Sequence, residues 1–95
     1  MTKSDLIEEL SKQVDISQQE ATSIVSTILQ TMTQALVDGQ NVEIRGFGSF
    51  TVRHYDSYTG RNPKTQVETV VKAKKLPFFK VGKELKEAVD TSFTN

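Results

Sequence analysis

The 95-residue sequence has no cysteine, no tryptophan, one histidine, two prolines and no net charge. Without cysteine there can be no disulfide and no thiolate metal site, which fits a reducing compartment. His54 stands alone, with no second histidine to complete a ligand set. No metal or other cofactor is therefore expected, and His54 reads as a solvated side chain. No apolar run approaches the ~20 residues that a membrane span needs. The N-terminus is expected to enter a capped helix directly, with no signal peptide. At 36% apolar residues the chain can build only a small core. That suits one domain, or one protomer of an intertwined oligomer. No nucleophile–base pair, metal cluster or phosphate-cradling loop is visible, so the chain does not read as an enzyme.

The zero net charge hides a strong asymmetry. Residues 1–40 carry two lysines against six carboxylates, a net charge of −4. Residues 41–95 carry ten Lys/Arg against six Asp/Glu, a net charge of +4. Within residues 61–83, seven cations face Glu68 alone, a net charge of +6. A basic half on an acidic base is the electrostatic footprint of a polyanion binder.

Thr2 can cap a first helix, with Asp5 completing an approximate capping box. Ser17 and Glu20 form a full S-x-x-E box ahead of a second helix. Ala21, Ile24, Val25, Ile28, Leu29, Met32, Ala35 and Leu36 follow at helical spacing, and Gly39 ends the run. This stripe is wider than one short helix covers, so Ile28, Leu29, Met32 and Leu36 are expected in a core or a dimer contact. After Gly39 the period changes to two, with Val42 and Ile44 alternating with Glu43 and Arg45. Gly46-Phe47-Gly48 reads as a tight turn, and Phe50 and Val52 resume the alternation. From His54 to Lys75 apolar residues are sparse and no helical face forms. A β-ribbon leaving the body accounts for that segment better than a buried loop. Val67, Val70 and Val71 favour strand on its return leg. Pro77 marks the next strand as an edge or a bulge. Gly82 precedes a last short helix, with Leu85, Ala88 and Val89 inward.

At the tip of the ribbon stands Gly60-Arg61-Asn62-Pro63-Lys64-Thr65. Gly, Asn and Pro mark a turn. A proline ring on a basic two-stranded ribbon is also a compact apolar wedge of the kind that opens base steps from the minor groove.

In order and spacing, Gly46-Phe47-Gly48-Ser49-Phe50, then the tip hexapeptide, then Pro77-Phe78-Phe79-Lys80 and Gly82-Lys83 resemble the HU/IHF family of bacterial DNA-bending, histone-like proteins. The resemblance covers about residues 1–90. The run Glu43 to Phe50 and the opening Met1-Thr2-Lys3-Ser4 follow the pattern of IHF beta subunits. The resemblance implies an α+β fold: two N-terminal helices, a three-stranded antiparallel sheet with an extended β-ribbon arm, and a short C-terminal helix. It implies an intertwined dimer, with an identical or a related subunit. Residues 1–40 would form the helical dimerisation part, 41–81 the sheet with its arm over about 54–75, 83–90 the last helix and 91–95 a tail, all in one domain. It implies a cytoplasmic protein of the bacterial nucleoid that binds and bends double-stranded DNA, with no small-molecule substrate and no membrane. Pro63 would be the wedge, with Arg61 and Asn62 beside it in the minor groove. Lys64, Lys72, Lys74 and Lys75 would follow the backbone, and Arg53 would join them. Lys3, Lys80, Lys83 and Lys86 would hold phosphates on the flanks of the body, helped by the N-termini of the first and third helices.

Two readings are open for Arg45. It is either a solvated residue paired with Glu43 on one strand face, or a groove-reading residue that Glu43 holds. Phe47, Phe50 and Phe79 are expected in the core, as the resemblance also implies. The alternative displays them as stacking platforms of a single-strand binder. A third reading makes the ribbon a protein-contact device in a structural oligomer. The chain departs from the family in Gln66, where a glycine commonly follows N-P-K-T. It departs also in the outgoing strand Tyr55-Asp56-Ser57-Tyr58, which lacks Arg and Lys, and in its zero net charge. Binding is then either HU-like and indifferent to sequence, or IHF-like, with sites selected through Arg45 and DNA shape.

Overall fold

The computed structural model describes residues 1–94, with side chains through Thr91. Helix α1 spans Lys3–Val14 and helix α2 Gln18–Val37. Strands β1 (Val42–Ile44) and β2 (Gly48–Tyr55) follow, then β3 (Tyr58–Arg61), β4 (Glu68–Val71), β5 (Lys74–Val81) and helix α3 (Lys83–Thr94). Among the described residues no helix is long and apolar enough to cross a membrane.

Local chemistry fixes the helix ends. At Thr2 the capping box is reciprocal: the Asp5 N–H donates to Thr2 Oγ1 at 3.2 Å and the Thr2 N–H to Asp5 Oδ2 at 2.8 Å. At Ser17 only half forms. The Glu20 N–H donates to Ser17 Oγ, but the Glu20 carboxylate takes the Ser17 hydroxyl instead of its backbone N–H. The box that looks complete in sequence is the incomplete one. Helix α2 closes in a Schellman turn. Gly39 sits at φ +80, its N–H donates to the Leu36 carbonyl at 3.1 Å, and the Gln40 N–H donates to the Ala35 carbonyl at 2.8 Å. Helix α3 continues to Thr94, past the expected end at residue 90, because no glycine or proline after Gly82 interrupts it. Asn95, the last residue of the expected tail, lies outside the described residues.

The body sheet is antiparallel in the order β1-β2-β5. Strand β5 pairs with β2 alone among the described strands, so Pro77, opposite Val52, stands on an edge strand, where a residue without an N–H is tolerated. The register sorts the two faces. Phe50 lies opposite Phe79, Val52 opposite Pro77 and Val42 opposite Phe50, all on one face. The other face carries Ser49 with Lys80, Thr51 with Phe78, Arg53 with Leu76, and Tyr55 with Lys74. The turn into β2 is Arg45-Gly46-Phe47, one residue earlier than the sequence suggests. Ile44 pairs with Gly48, and Gly46 supplies the positive φ of 84°. Arg45 is therefore a turn residue and not part of the strand.

Beyond Tyr55 and Lys74 the body ladder stops. Pairing restarts in a separate two-stranded sheet, with Tyr58 opposite Val71 and Arg61 opposite Glu68. The expected arm of about 54–75 thus divides into a root in the body sheet and a free ribbon.

The chain is extended and exposes much surface. Its radius of gyration is 19.4 Å, against about 12 Å for a compact chain of this length. Its accessible surface is 8145 Å², against about 5500 Å² for a compact monomer of this mass. Among the described residues only Ile7, Ala21 and Val25 are buried. Ile28 and Leu29 are exposed, and Met32 and Leu36 half-buried. The three phenylalanines expected in the core form a cluster. The Phe79 ring lies 4.7 Å from Phe50 and 5.7 Å from Phe47 between centroids. Yet Phe47 is 44% and Phe79 38% exposed. Within one chain they are not buried: the described side chains leave the cluster partly uncovered.

Candidate nucleic-acid interface

The ribbon tip is built by short-range bonds around Pro63. The Asn62 carbonyl accepts from the Gln66 N–H at 2.7 Å, and the Asn62 N–H donates to the Val67 carbonyl at 3.1 Å. Pro63, Lys64 and Thr65 form the turn between them. The Asn62 side chain spans the proline, its Oδ1 accepting from the Lys64 N–H at 2.9 Å. Proline suits the first position of such a turn, where its ring presets φ. Every residue from Arg61 to Val70 is exposed. The ring of Pro63 therefore stands free at the end of a ribbon whose backbone is hydrogen-bonded on both sides of it.

Gln66 takes the place of a glycine in fact as well as in pattern. Its φ is +57, in the left-handed region that side chains resist. Gln66→Gly is expected to stabilise the ribbon by about 1 kcal/mol, since relief of that strain exceeds the added freedom of the unfolded chain. Amide exchange over Tyr58–Val71 should then slow about fivefold; faster exchange would show that the glutamine side chain supports the tip.

The cations fall into three groups. At the tip, Arg61 meets Glu68 across the ribbon, with Nη2 3.5 Å from Oε1. Both side chains are exposed, so the pair is worth only ~0.2–1 kcal/mol. Sequence reading missed this pair, although a hairpin count outward from the tip places the two opposite each other. Among the described residues Lys64 makes no ion pair, and neither does Lys72 in the break between β4 and β5.

On the root and body, Arg53, Lys74 and Lys80 share the sheet face that also carries Phe78. The Arg53 guanidinium lies over the Phe78 ring, 3.4 Å from its centroid. This stacking fixes the guanidinium while leaving its edge donors outward. Lys75 lies on the opposite face and behaves differently. Its ammonium donates to the Val37 carbonyl at 3.1 Å. Strand alternation alone separates Lys75 from Lys74, but only the folded chain supplies its partner.

The third group surrounds the turn and the last helix. Arg45 and Lys80 line a shallow recess with Glu43 and Ser49. Among the described residues no ion pair joins Glu43 to Arg45. Lys83 makes a loose contact with Glu87 at 4.0 Å. Lys86 lies on α3 beside Leu85 and Val89. Lys3 sits far along the body, in a recess formed with α2 residues Ser26, Gln30 and Gln34. The expected site residues are thus spread over the arm, both faces of the body sheet, the turn before β2 and two helix starts.

Comparison with known proteins gives consistent results. A family model described as bacterial DNA-binding protein matches residues 1–90. The chain is 50% identical over 93 residues to the integration host factor subunit beta of Marinobacter nauticus, covering 97% of this chain and 95% of that one. It is 50% identical over 91 residues to the subunit of the same name from Haemophilus influenzae, covering 95% and 97%. In structure it is similar to HU in the Anabaena HU–DNA cocrystal, with TM-score 0.82 and 31% identity over 94% of this chain and 97% of that one. HU from Thermotoga maritima superposes with TM-score 0.67 and 35% identity, over 94% and 98%.

Proposed function

The chain belongs to the bacterial DNA-binding protein family, the HU/IHF family of non-enzymatic architectural proteins, and from this we propose that it binds and bends duplex DNA through the minor groove, with Pro63 as the wedge. The observation that carries the reading is the tip. An exposed proline is held between Asn62 and Lys64 at the end of a basic ribbon. Two protomers intertwine, with an identical or related partner, and each sends one arm around the duplex. The excess exposed surface of the lone chain and its uncovered phenylalanine cluster support this. Relatives of this chain are named as subunits, which supports it too. The protein works in the nucleoid of a bacterial cytoplasm.

In this reading Arg61 leaves Glu68 to enter the groove with Asn62, whose donors suit its acceptor-rich floor. Lys64 and Lys72 follow the backbone of the opened step. Arg53, Lys74 and Lys80 meet phosphates across the sheet face, and Lys3, Lys83 and Lys86 hold the bent flanks. Opening a step costs a few kcal/mol, and the added phosphate contacts offset it. Arg45, exposed on a turn and unpaired with Glu43, supports a contribution to site preference through groove shape.

The test compares intact and nicked duplex of one sequence in one buffer. Tighter binding to the nicked duplex is expected, because its flexible step lowers the cost of bending. Equal affinity would remove the bending mechanism. Lys83→Ala should weaken binding to all sequences alike. It should also flatten the slope of log K against log[salt] by about 0.9, the share of one neutralised phosphate. A weakening confined to particular sequences would contradict its assignment to phosphate.

A further inference from the structure

Whereas the Arg61–Glu68 bond across the ribbon joins residues seven apart, the side-chain hydrogen bond from Lys75 to the Val37 carbonyl joins residues 38 apart. Both of its ends are informative. On the helix side, the Schellman turn satisfies the carbonyls of Ala35 and Leu36, and the Asp38 N–H satisfies that of Gln34. Val37 keeps a carbonyl that the turn does not use, at the negative end of a 20-residue helix. On the strand side, Lys75 pairs with His54, one rung before the body ladder ends at Tyr55 and Lys74. The bond therefore lies where the free ribbon begins. The lysine also lines an apolar cleft of about 270 Å³ with Leu36, Val37, Val52, Leu76 and Pro77, between α2 and the sheet. Lys74, its neighbour in sequence, is on the other sheet face with Arg53 and Lys80.

We propose that Lys75 is a positioning residue, not a phosphate ligand: it ties the root of the arm to the C-terminus of α2 and so sets the angle at which the arm leaves the body. The consequence for DNA rests on the duplex-bending reading above, because arm angle matters only if the arms carry the wedge. The tie itself is a property of the free protein.

The experiment uses the full chain and three variants: Lys75→Met, which keeps the stem in the cleft, Lys75→Arg, which keeps charge and donors, and Lys74→Met for contrast. Without DNA, Lys75→Met should lower the melting temperature by about 2–5 °C, and Lys75→Arg should restore most of it. With a labelled duplex of about 35 base pairs at saturation, Lys75→Met should broaden and lengthen the end-to-end distance distribution, again restored by arginine. The salt slope should stay at the parent value in Lys75→Met but fall by about 0.9 in Lys74→Met, where one phosphate is no longer neutralised. A slope that falls equally in both variants would overturn the proposal and make Lys75 a phosphate ligand. An unchanged melting temperature in Lys75→Met would overturn it as well. If the parent chain binds no duplex, the functional reading fails, and the melting series with its arginine rescue still decides the tie.

Discussion

Phe79→Ala is expected to remove about 3–5 kcal/mol of stability from each protomer, enough to leave the chain largely unfolded at micromolar concentration. The ring is packed on three sides. Phe50 and Phe47 flank it at 4.7 and 5.7 Å. Gly48 lies beneath it so closely that a Cβ there would come within 2.6 Å of the Phe79 ring edge and of the Lys80 carbonyl oxygen. The absent side chain of Gly48 is thus the space the ring fills. The fourth side is open, and Phe79 remains 38% exposed in the lone chain. With only Ile7, Ala21 and Val25 buried among the described residues, the chain has no reserve to absorb the truncation. In the intertwined-dimer reading its stability comes from association, so its melting temperature should rise with protein concentration. Thermal unfolding of parent and variant at two concentrations, with solution mass, checks both statements. If Phe79→Ala kept its fold and its mass but no longer bound nucleic acid, the ring would be a base-stacking platform and the single-strand reading would gain.

What could be read in the sequence was what is decided locally. Thr2 with Asp5, Ser17 ahead of α2, Gly39 after it and the change of period at Val42 are each fixed within a few residues, and each is where the pattern placed it. Pro77 on an edge strand follows from one missing N–H. The boundaries that shifted did so because two turn chemistries compete. Gly46 and Gly48 both permit a turn, and only the rung between Ile44 and Gly48 selects the first. The phenylalanines were legible as apolar and central but not as incompletely covered, since composition does not say which chain supplies the cover. The site behaved similarly. Proline, asparagine and the cations of the tip are local and sit together as expected. The partners of Arg61, Arg53 and Lys75 lie across a ladder or in another element. Register gives the first two once the pairing is known, but the third needs the placement of α2 against the sheet.

Pro63→Ala should leave that tip folded while removing its wedge. The hydrogen bonds that close the turn do not involve the ring. The Lys64 N–H still reaches Asn62 Oδ1, and the Gln66 N–H still reaches the Asn62 carbonyl. Alanine also keeps the body, the phenylalanine cluster and all twelve cations. What disappears is the rigid apolar ring, exposed at the far end of the ribbon, that can stand between two base pairs. A wedge of this kind kinks the duplex by about 20–90° at the step it opens. Without it the DNA must reach the flanks by smooth bending, which costs ~1–6 kcal/mol over a site of 20–30 base pairs. On intact duplex, affinity should therefore fall about 10–100-fold, at the lower end of that cost, and the bend should shrink more than affinity does. On duplex already nicked at the step, parent and variant should bind within about twofold, because the unstacking the ring performs has been done in advance. End-to-end distances of labelled duplex at saturation, with titrations on both substrates, separate these outcomes. An unchanged bend on intact DNA would end the wedge assignment and leave the arm with phosphate contacts alone. A parallel weakening on both substrates would instead mean that the ring shapes the turn, and that Asn62 by itself does not hold it.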